Sequence, residues 1–495
     1  MSTETDQPVP RFSPTETRNV VLGLMLIILL GALEQTIVSV SLPQMARDLH
    51  SVSMLAWVVA GYLVASTVAT PVYGKLGDLY GRRLLLSIAV VIFLVASVAC
   101  GLAQSMPFLV MARIVQGIGG GGLISTSQAI IGDVVPLRER GRYQGYISVV
   151  YAVASVGGPV LGGYLTHLLS WRWIFWINLP LGLIALWTAR RALKHLPVPG
   201  IRRPIDYLGI LLLTTGLSML LVTITRASKG GASSWPATPA LLAVAVMLLV
   251  LFGWHEHRTE EPLIPPAILK IRTVWIGCVI LFISFFQVIS LSVLVPYGMQ
   301  TVDGVGPDRA ALQLIAFSLA IPFGAFISGR WMSHSGRYKP LQLIGTAVLP
   351  VSILWLAYLG PHATVATSLA LAGAGMATGM TMPTSLVAVQ NAVAQKNIGI
   401  ATAMTALSRS MGGAIGVAAL STILFALLRS AGGTSALEVG MLSGSSAHLH
   451  DTARAFQITF VCGAIVATVA HVLAWMIPEK SLRAASTPSA PPPRS

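Results

Sequence analysis

Charged residues are scarce in this sequence, and acidic residues are the scarcest. Only 10% of the 495 residues are charged and 17 are aspartate or glutamate, whereas 54% are hydrophobic. The mean hydropathy is +0.76. Because soluble domains carry about 25% charged residues, the composition excludes an ordinary soluble protein. It predicts an integral membrane protein.

Cysteine is equally scarce, and motifs for catalysis are missing. The three cysteines, Cys100, Cys278 and Cys462, all fall in apolar runs. An odd number in such positions indicates neither a disulfide framework nor a metal site. The sequence has no nucleophile motif such as G-x-S-x-G and no phosphate-binding P-loop. We therefore expect no enzyme activity, no bound metal and no cofactor.

Long apolar runs, by contrast, are abundant. A run of about 20 apolar residues crosses a bilayer as a helix, and fourteen such runs predict an all-α membrane protein. They lie near residues 20–42, 54–73, 84–103, 107–132, 144–166, 172–189, 206–225, 237–254, 273–296, 309–329, 340–360, 364–390, 398–428 and 456–477.

Lysine and arginine are distributed unevenly between the segments that connect these runs. If the amino terminus is inside the cell, the cytoplasmic segments hold roughly three times as many of them as the outer segments. We therefore expect a multi-pass protein of the cell (inner) membrane with both termini in the cytoplasm. The net charge of +15 follows from this topology, so no nucleic-acid partner is predicted.

Two segments repeat one spacing of glycine and basic residues. In segments 74–83 and 329–339, a glycine and a base are followed by a second glycine and an arginine, seven and eight residues after the first glycine. Such repeats, with a binding site near the midplane, are typical of transporters. The predicted domains are a cytoplasmic segment at 1–19, six-helix bundles at 20–190 and 273–477, a linker with two inserted helices at 191–272 and a disordered cytoplasmic tail at 478–495.

Glu34 is the one acid that lies deep inside an apolar run. An ionised acid in mid-bilayer costs about 2.5–3.5 kcal/mol, so it normally faces water or a partner. Arg113 lies at a similar depth in the fourth run, since a helix rises about 1.5 Å per residue. It can pair with Glu34 or extend to the outer interface. Glu34 is predicted to bind a proton or a cation, and packing alone is the alternative.

Five segments, in order along the chain, resemble the motifs of the major facilitator superfamily, and within it the fourteen-helix drug:proton antiporters. They are 33–43 on the first helix, 74–83 in the loop between helices 2 and 3, 113–117 on the fourth helix, 157–163 on the fifth and 173–182 on the sixth. The first motif usually has aspartate where this chain has Glu34. In the second copy of the loop motif Ser333 replaces Asp78, so that copy has no charged latch.

The resemblance implies roles for two groups of residues. A conformational latch would be formed by Gly74, Asp78, Gly81, Arg82 and Arg83. A helix-packing motif of antiporters would be formed by Gly157, Gly158, Pro159, Gly162 and Gly163. The spacing of Gly158 and Gly162 also allows two helix backbones to approach closely in lipid.

The resemblance implies a proton-coupled antiporter that exports lipophilic, cationic compounds by alternating access. Its partners would be a small lipophilic substrate, protons and membrane lipid. The proton gradient would drive it, and it would act as a monomer. The alternatives are a proton-coupled exporter of one specific metabolite or natural product, and a membrane enzyme or receptor. Glu34 and Arg113 would couple protons to substrate; residues expected to line the cavity are Trp57, Tyr62, Phe286 and Gln287, the last opposite Glu34.

Overall fold

A computed structural model of the chain describes residues 14–51, 54–192, 194, 205–230, 238–259, 261–305, 307–360, 364–394, 397–430 and 446–479. Within these ranges the backbone is helical with short turns and contains no strand. The helices are α1 (Pro14–Asp48), α2 (Leu55–Tyr80), α3 (Arg82–Gly101), α4 (Met106–Val134), α5 (Leu137–Leu168), α6 (Trp173–Trp176), α7 (Asn178–Ala192), α8 (Tyr207–Gly230), α9 (Thr238–Glu256), α10 (Pro266–Leu269), α11 (Arg272–Val302), α12 (Pro307–Ser335), α13 (Lys339–Leu359), α14 (Val365–Ala392), α15 (Ile398–Ser430) and α16 (Ser446–Trp475).

Fourteen helical segments of the described chain are long and apolar enough to cross a membrane. The prediction of an all-α protein with fourteen spans is therefore confirmed. A helix is the natural form of these runs, because lipid offers no partner for free backbone N–H and C=O groups. The sixth span is made by α6 and α7, which are separated at Ile177.

Helix α1 is longer than the sequence predicted. It begins at Pro14, inside the segment 1–19 that was expected to be a polar lead, and continues to Asp48. Proline is well suited to a first helical turn, and the acid Glu16 interacts favourably with the helix amino end. The apolar run thus predicted the membrane-spanning part of α1, but it did not predict the polar helical turns at both ends. Residues 1–13 and the predicted tail from residue 480 lie outside the described residues.

The two repeated segments are helix junctions rather than loops. Helix α2 runs to Tyr80 and α3 starts at Arg82, so Gly81 alone separates them, with φ +93°. In the second copy α12 continues to Ser335, and Gly336 follows with φ +67°. Glycine adopts this left-handed region at little cost. The prediction of a loop at 74–83 was wrong. The glycine and charged residues of this segment are typical of a turn, but Gly81 alone makes the turn and the other residues are helical.

The chain folds into two compact units. One comprises Met1–Val135 with Val156–Ile205, and the other Pro136–Ser155 with Asp206–Ser495. In the first unit, α2 and α3 pack on α4, and α1 packs on α7. In the second, α12 and α13 pack on α14, and α11 packs on α15. The two helices predicted as an insertion, α8 and α9, pack on each other, and α8 also packs on α15.

Glycines of α4 allow the close packing in the first unit. A Cβ atom at Gly119 would lie 2.7 Å from the backbone nitrogen of Phe93 on α3. On the α2 side, a Cβ atom at Gly117 would lie 3.0 Å from the Cα atom of Tyr62. Small residues bring helix backbones together in this way in membranes. The glycine-rich run of α4 thus positions the side chains of α2 and α3 around this helix.

Acidic and histidine side chains hold the ends of α8 and α9 together. His255 Nε2 and Asp206 Oδ1 are joined by a hydrogen bond of 2.8 Å. The buried Glu256 accepts hydrogen bonds from the backbone N–H groups of Leu263 (3.2 Å) and Ile264 (2.8 Å). These contacts tie the helix pair to the segment that leads into α11.

Candidate functional site

The first unit contains a buried ion pair in the middle of its helices. Glu34 on α1 is fully buried, and Arg113 on α4 is 1% exposed. Arg113 Nη1 donates hydrogen bonds to Glu34 Oε1 and, at 2.7 Å, to Gln116 Oε1. Asn178 Nδ2, at the start of α7, donates to the other carboxylate oxygen, Glu34 Oε2, at 2.7 Å. Both oxygens of the membrane-embedded acid are therefore engaged.

A second layer of polar side chains surrounds this pair. Ser97 Oγ on α3 accepts from Gln116 Nε2 at 2.8 Å and from Asn178 Nδ2 at 3.2 Å. Ser97, Gln116 and Asn178 are all fully buried. Since buried polar groups are costly unless they are hydrogen-bonded, this connected network fixes the orientation of Glu34 and Arg113. We call Glu34, Ser97, Arg113, Gln116 and Asn178 the buried network.

Aromatic rings cover the guanidinium group of Arg113. Its Cζ atom lies 4.4 Å from the centre of the Tyr62 ring and 5.7 Å from that of Phe175. Its Nε donates to the backbone carbonyl of Val58 at 3.1 Å. A cation is attracted to the face of an aromatic ring, and more so where water is excluded. Arg113 therefore keeps favourable contacts that do not depend on Glu34.

The buried network permits one chemical exchange in particular. Protonation of Glu34 removes its negative charge, and with it most of the attraction to Arg113. Removing one partner of a buried ion pair costs about 3–5 kcal/mol when the other charge stays uncompensated. A proton and the Arg113 guanidinium are thus alternative partners of the same carboxylate.

Three members of the buried network were not identified from the sequence. Gln116 follows Arg113 by three residues, a spacing that places both on one face of a helix. Asn178 lies within segment 173–182, which was recognised as a motif but given no role. Ser97 carries no signal of its own, because serine is common in apolar spans. The spacing from Arg113 would have indicated Gln116, and the presence of a polar residue in a recognised motif would have indicated Asn178.

The predicted cavity residues have different environments. Tyr62 is buried against Arg113, and Trp57 on α2 is half-buried. In the second unit, Phe286 is buried in an apolar cluster formed by α11 to α16. Gln287 is buried as well, and its Nε2 donates to the carbonyl of Gly463 at 2.7 Å. Their roles in lining a cavity stay predictions.

Arg82 forms two ion pairs at the end of segment 74–83, both within the first unit. Its Nη2 contacts Asp78 Oδ1 at 2.8 Å, and its Nη1 contacts Asp133 Oδ2 at 2.6 Å. Nη1 also donates to the carbonyl of Ala129 on α4. Arg82 therefore joins the end of α2 to the end of α4 across the Gly81 junction. Arg83 is only half-buried.

Comparison with known proteins decides the family. A family model described as Major Facilitator Superfamily matches residues 24–417. The chain belongs to this superfamily. It is accordingly a multi-pass membrane transporter and not an enzyme.

Relatives of this transporter agree with that assignment. An MFS-type transporter of Mycobacterium tuberculosis is 33% identical over 499 residues, which cover 96% of this chain and 71% of the relative. The multidrug transporter protein MdtP of Bacillus subtilis is 33% identical over 408 residues, covering 81% of this chain and 74% of MdtP. The solved structure of the proton:xylose symporter XylE has the same fold, with a TM-score of 0.61 at 17% identity, covering 95% of this chain and 98% of XylE.

Segment 157–163 of the transporter packs on α1 next to Glu34. A Cβ atom at Gly158 would lie 2.9 Å from Thr36 Cβ, and one at Gly162 would lie 3.0 Å from Ile37 Cγ1. A Cβ atom at Gly157 would meet no atom within 4 Å. Pro159 lies within the same helix, as does the half-buried Gly163. Close contact between α1 and α5 thus depends on the two glycines that face α1.

We expect Gly158→Ala to destabilise the transporter by about 1–3 kcal/mol, because the added methyl group overpacks the contact with Thr36. The matched variant Gly157→Ala should be neutral or stabilising, since alanine favours a helix over glycine by roughly 1 kcal/mol. Thermal unfolding of both purified variants in detergent measures the difference. Equal unfolding temperatures would show that the approach of α1 to α5 does not depend on this glycine.

We expect Arg82→Gln to lower stability by about 3 kcal/mol, because Asp78 and Asp133 both lose their buried cationic partner. Arg83→Gln, which removes the neighbouring charge, should unfold as the wild type does. Unfolding of the two proteins in detergent and their transport rates at matched expression test this. If Arg83→Gln were the more damaging change, the ion pairs of Arg82 with Asp78 and Asp133 would not be what stabilises this junction.

Proposed function

We propose that this transporter is a proton-coupled antiporter that exports lipophilic small molecules across the cell membrane by alternating access. The observation that carries the proposal is the fully buried pair of Glu34 and Arg113 within membrane-spanning helices. Ionisable residues in such positions are costly and mark proton relays or substrate paths. The name of the relative MdtP, a multidrug transporter, supports lipophilic substrates.

In the proposed cycle, Glu34 alternates between the Arg113 guanidinium and a proton. When Glu34 is protonated, Arg113 keeps its contacts with Gln116, Val58 and the Tyr62 ring. Loss of the ion pair removes an attraction between α1 and α4, so protonation shifts the balance between transporter conformations. The latch around Asp78 and Arg82 would favour one of these conformations. Both termini would be cytoplasmic.

A preference for cationic substrates does not follow from Glu34 in this arrangement. Both carboxylate oxygens already accept hydrogen bonds, from Arg113 and Asn178. The side chain is fully buried. A cation would have to displace Arg113 before it could reach the carboxylate. The proposal therefore assigns Glu34 to the proton and leaves the charge of the substrate to other residues.

Transport into everted membrane vesicles tests the proposal. Three fluorescent probes share one apolar body and differ in charge: naphthalene-2-sulfonate, naphthalene-2-sulfonamide and 2-naphthyltrimethylammonium. We expect a pH gradient, acid inside, to drive uptake of at least one probe in vesicles that contain the transporter. An uncoupler should abolish this uptake. Uptake that persists unchanged without a proton gradient would contradict proton coupling.

A further inference from the structure

Arg409 is a buried arginine of the second unit with no acidic partner among the described residues. It lies on α15 and is 9% exposed. Its Nη1 approaches Met382 Sδ at 3.8 Å, and its Cζ atom lies 5.5 Å from the centre of the Phe285 ring. The phenol of Tyr151 lies close enough to interact with its charge. A thioether, a ring face and a phenol satisfy few of the five N–H donors of a guanidinium.

Other buried arginines of the chain are better satisfied. Arg113 pairs with Glu34, and Arg82 pairs with Asp78 and Asp133. Arg140 donates to the side-chain oxygen of Gln390 at 3.2 Å. A guanidinium stays charged in proteins, and burying a charge without a partner is strongly unfavourable. Arg409 thus destabilises the fold. This indicates that the residue serves a function other than folding.

We propose that Arg409 binds the acidic group of a lipophilic organic anion, which is the substrate class of this transporter. The planar guanidinium matches the oxygens of a carboxylate or sulfonate with two parallel hydrogen bonds. Phe285 and Met382 provide apolar surface beside the charge for an aromatic or aliphatic body. This inference rests on the proposed function, because it names what that function exports.

The charge of the substrate changes the energetics of exchange. Export of a monoanion in exchange for one proton moves two positive charges inward per cycle, so an inside-negative membrane potential drives it. Export of a monocation for one proton moves no net charge. Dependence of transport on membrane potential therefore distinguishes an anionic substrate from a cationic one.

Binding and stability of the full-length protein in detergent test the role of Arg409. We expect naphthalene-2-sulfonate to bind the wild type, and Arg409→Gln to weaken its binding about tenfold or more. Binding of the uncharged sulfonamide should change less than about twofold. Arg409→Lys should bind the sulfonate with intermediate affinity, because it keeps the charge but loses the planar pair of donors. The exposed Arg454 provides the control variant Arg454→Gln.

Thermal unfolding without ligand separates binding from a structural role. A residue that holds the fold together makes the protein less stable when it is replaced. If Arg409 is kept for ligand binding, Arg409→Gln should raise the unfolding temperature, by about 2 °C or more. The sulfonate should stabilise the wild type but not this variant. A lower unfolding temperature for Arg409→Gln, or unchanged sulfonate binding, would overturn the proposal.

Transport in proteoliposomes keeps this inference separate from proton coupling. We expect an inside-positive membrane potential to increase uptake of the sulfonate, because each cycle then moves positive charge outward. Arg409→Gln should lose that uptake. If sulfonate transport requires Arg409 but does not depend on the pH gradient, anion recognition by Arg409 is supported. The same result would contradict the proposed function. Proton-driven transport of the ammonium probe with no binding of the sulfonate would uphold the proposed function and overturn the role of Arg409.

Discussion

Glu34→Gln should reduce uphill, proton-driven transport to the level of protein-free vesicles, while transport down a substrate gradient remains measurable. Glutamine keeps the shape of the side chain and can still hydrogen-bond to Asn178 and Arg113. It cannot take up a proton. The variant therefore has a substrate path but no exchange of a proton for the guanidinium. This is the largest functional effect that we expect from a single substitution.

Two further variants control this experiment. Glu34→Asp keeps the carboxylate and restores the residue usual in the resembled antiporters, so it should retain substantial proton-driven transport. Glu139→Gln removes an acid that is exposed at the start of α5 and should leave transport unchanged. Initial rates of probe uptake at matched expression, with and without a pH gradient, give the comparison. If Glu34→Asp were as inactive as Glu34→Gln, the length of the side chain rather than its proton would explain the loss.

Arg113→Gln should produce the largest loss of stability, about 3–5 kcal/mol at a pH where Glu34 of the wild type is ionised. The substitution leaves a fully buried carboxylate whose remaining donors, Asn178 and Gln116, are neutral. Such a group is tolerated only when it is protonated. The stability of the variant should therefore fall as the pH rises, and that of the double variant Glu34→Gln/Arg113→Gln should not.

A double-mutant cycle measures how strongly the two residues interact. Each single variant leaves one buried group without its partner, whereas the double variant leaves two neutral amides. We expect the double variant to be more stable than the sum of the single losses predicts, by about 2–3 kcal/mol. It should nevertheless be inactive in proton-driven transport. Strictly additive losses would mean that the contact between Glu34 and Arg113 contributes nothing to the fold.

The sequence predicted the spans well, because the length and composition of an apolar run are local properties. It also indicated that Glu34 and Arg113 lie at similar depth, since helical rise converts residue number into distance. It did not reveal that Asn178 and Ser97 join them. Those contacts depend on how α3 and α7 pack around α4, and no spacing along a single helix encodes the packing of separate helices.

Glycine and charged residues near helix ends also led to wrong predictions. Segment 74–83 has the glycine and charge content of a loop, yet only Gly81 leaves the helix. The position of Arg409 near one end of an apolar run indicates, by itself, only a structural role. Its significance depends on the side chains packed around it, and only the folded second unit shows that no described acid pairs with it.

Proton movement coupled to substrate flux tests the central claim most directly. Proteoliposomes with a trapped pH indicator are loaded with the naphthalene probe that the wild type transports fastest, and are diluted so that the probe flows outward. Wild-type protein should acidify the lumen in proportion to probe efflux, and collapse of the proton gradient should end the signal. Glu34→Gln should release probe without acidification. Equal acidification by the wild type and by Glu34→Gln would show that the proton is carried elsewhere and would contradict the assignment of coupling to Glu34.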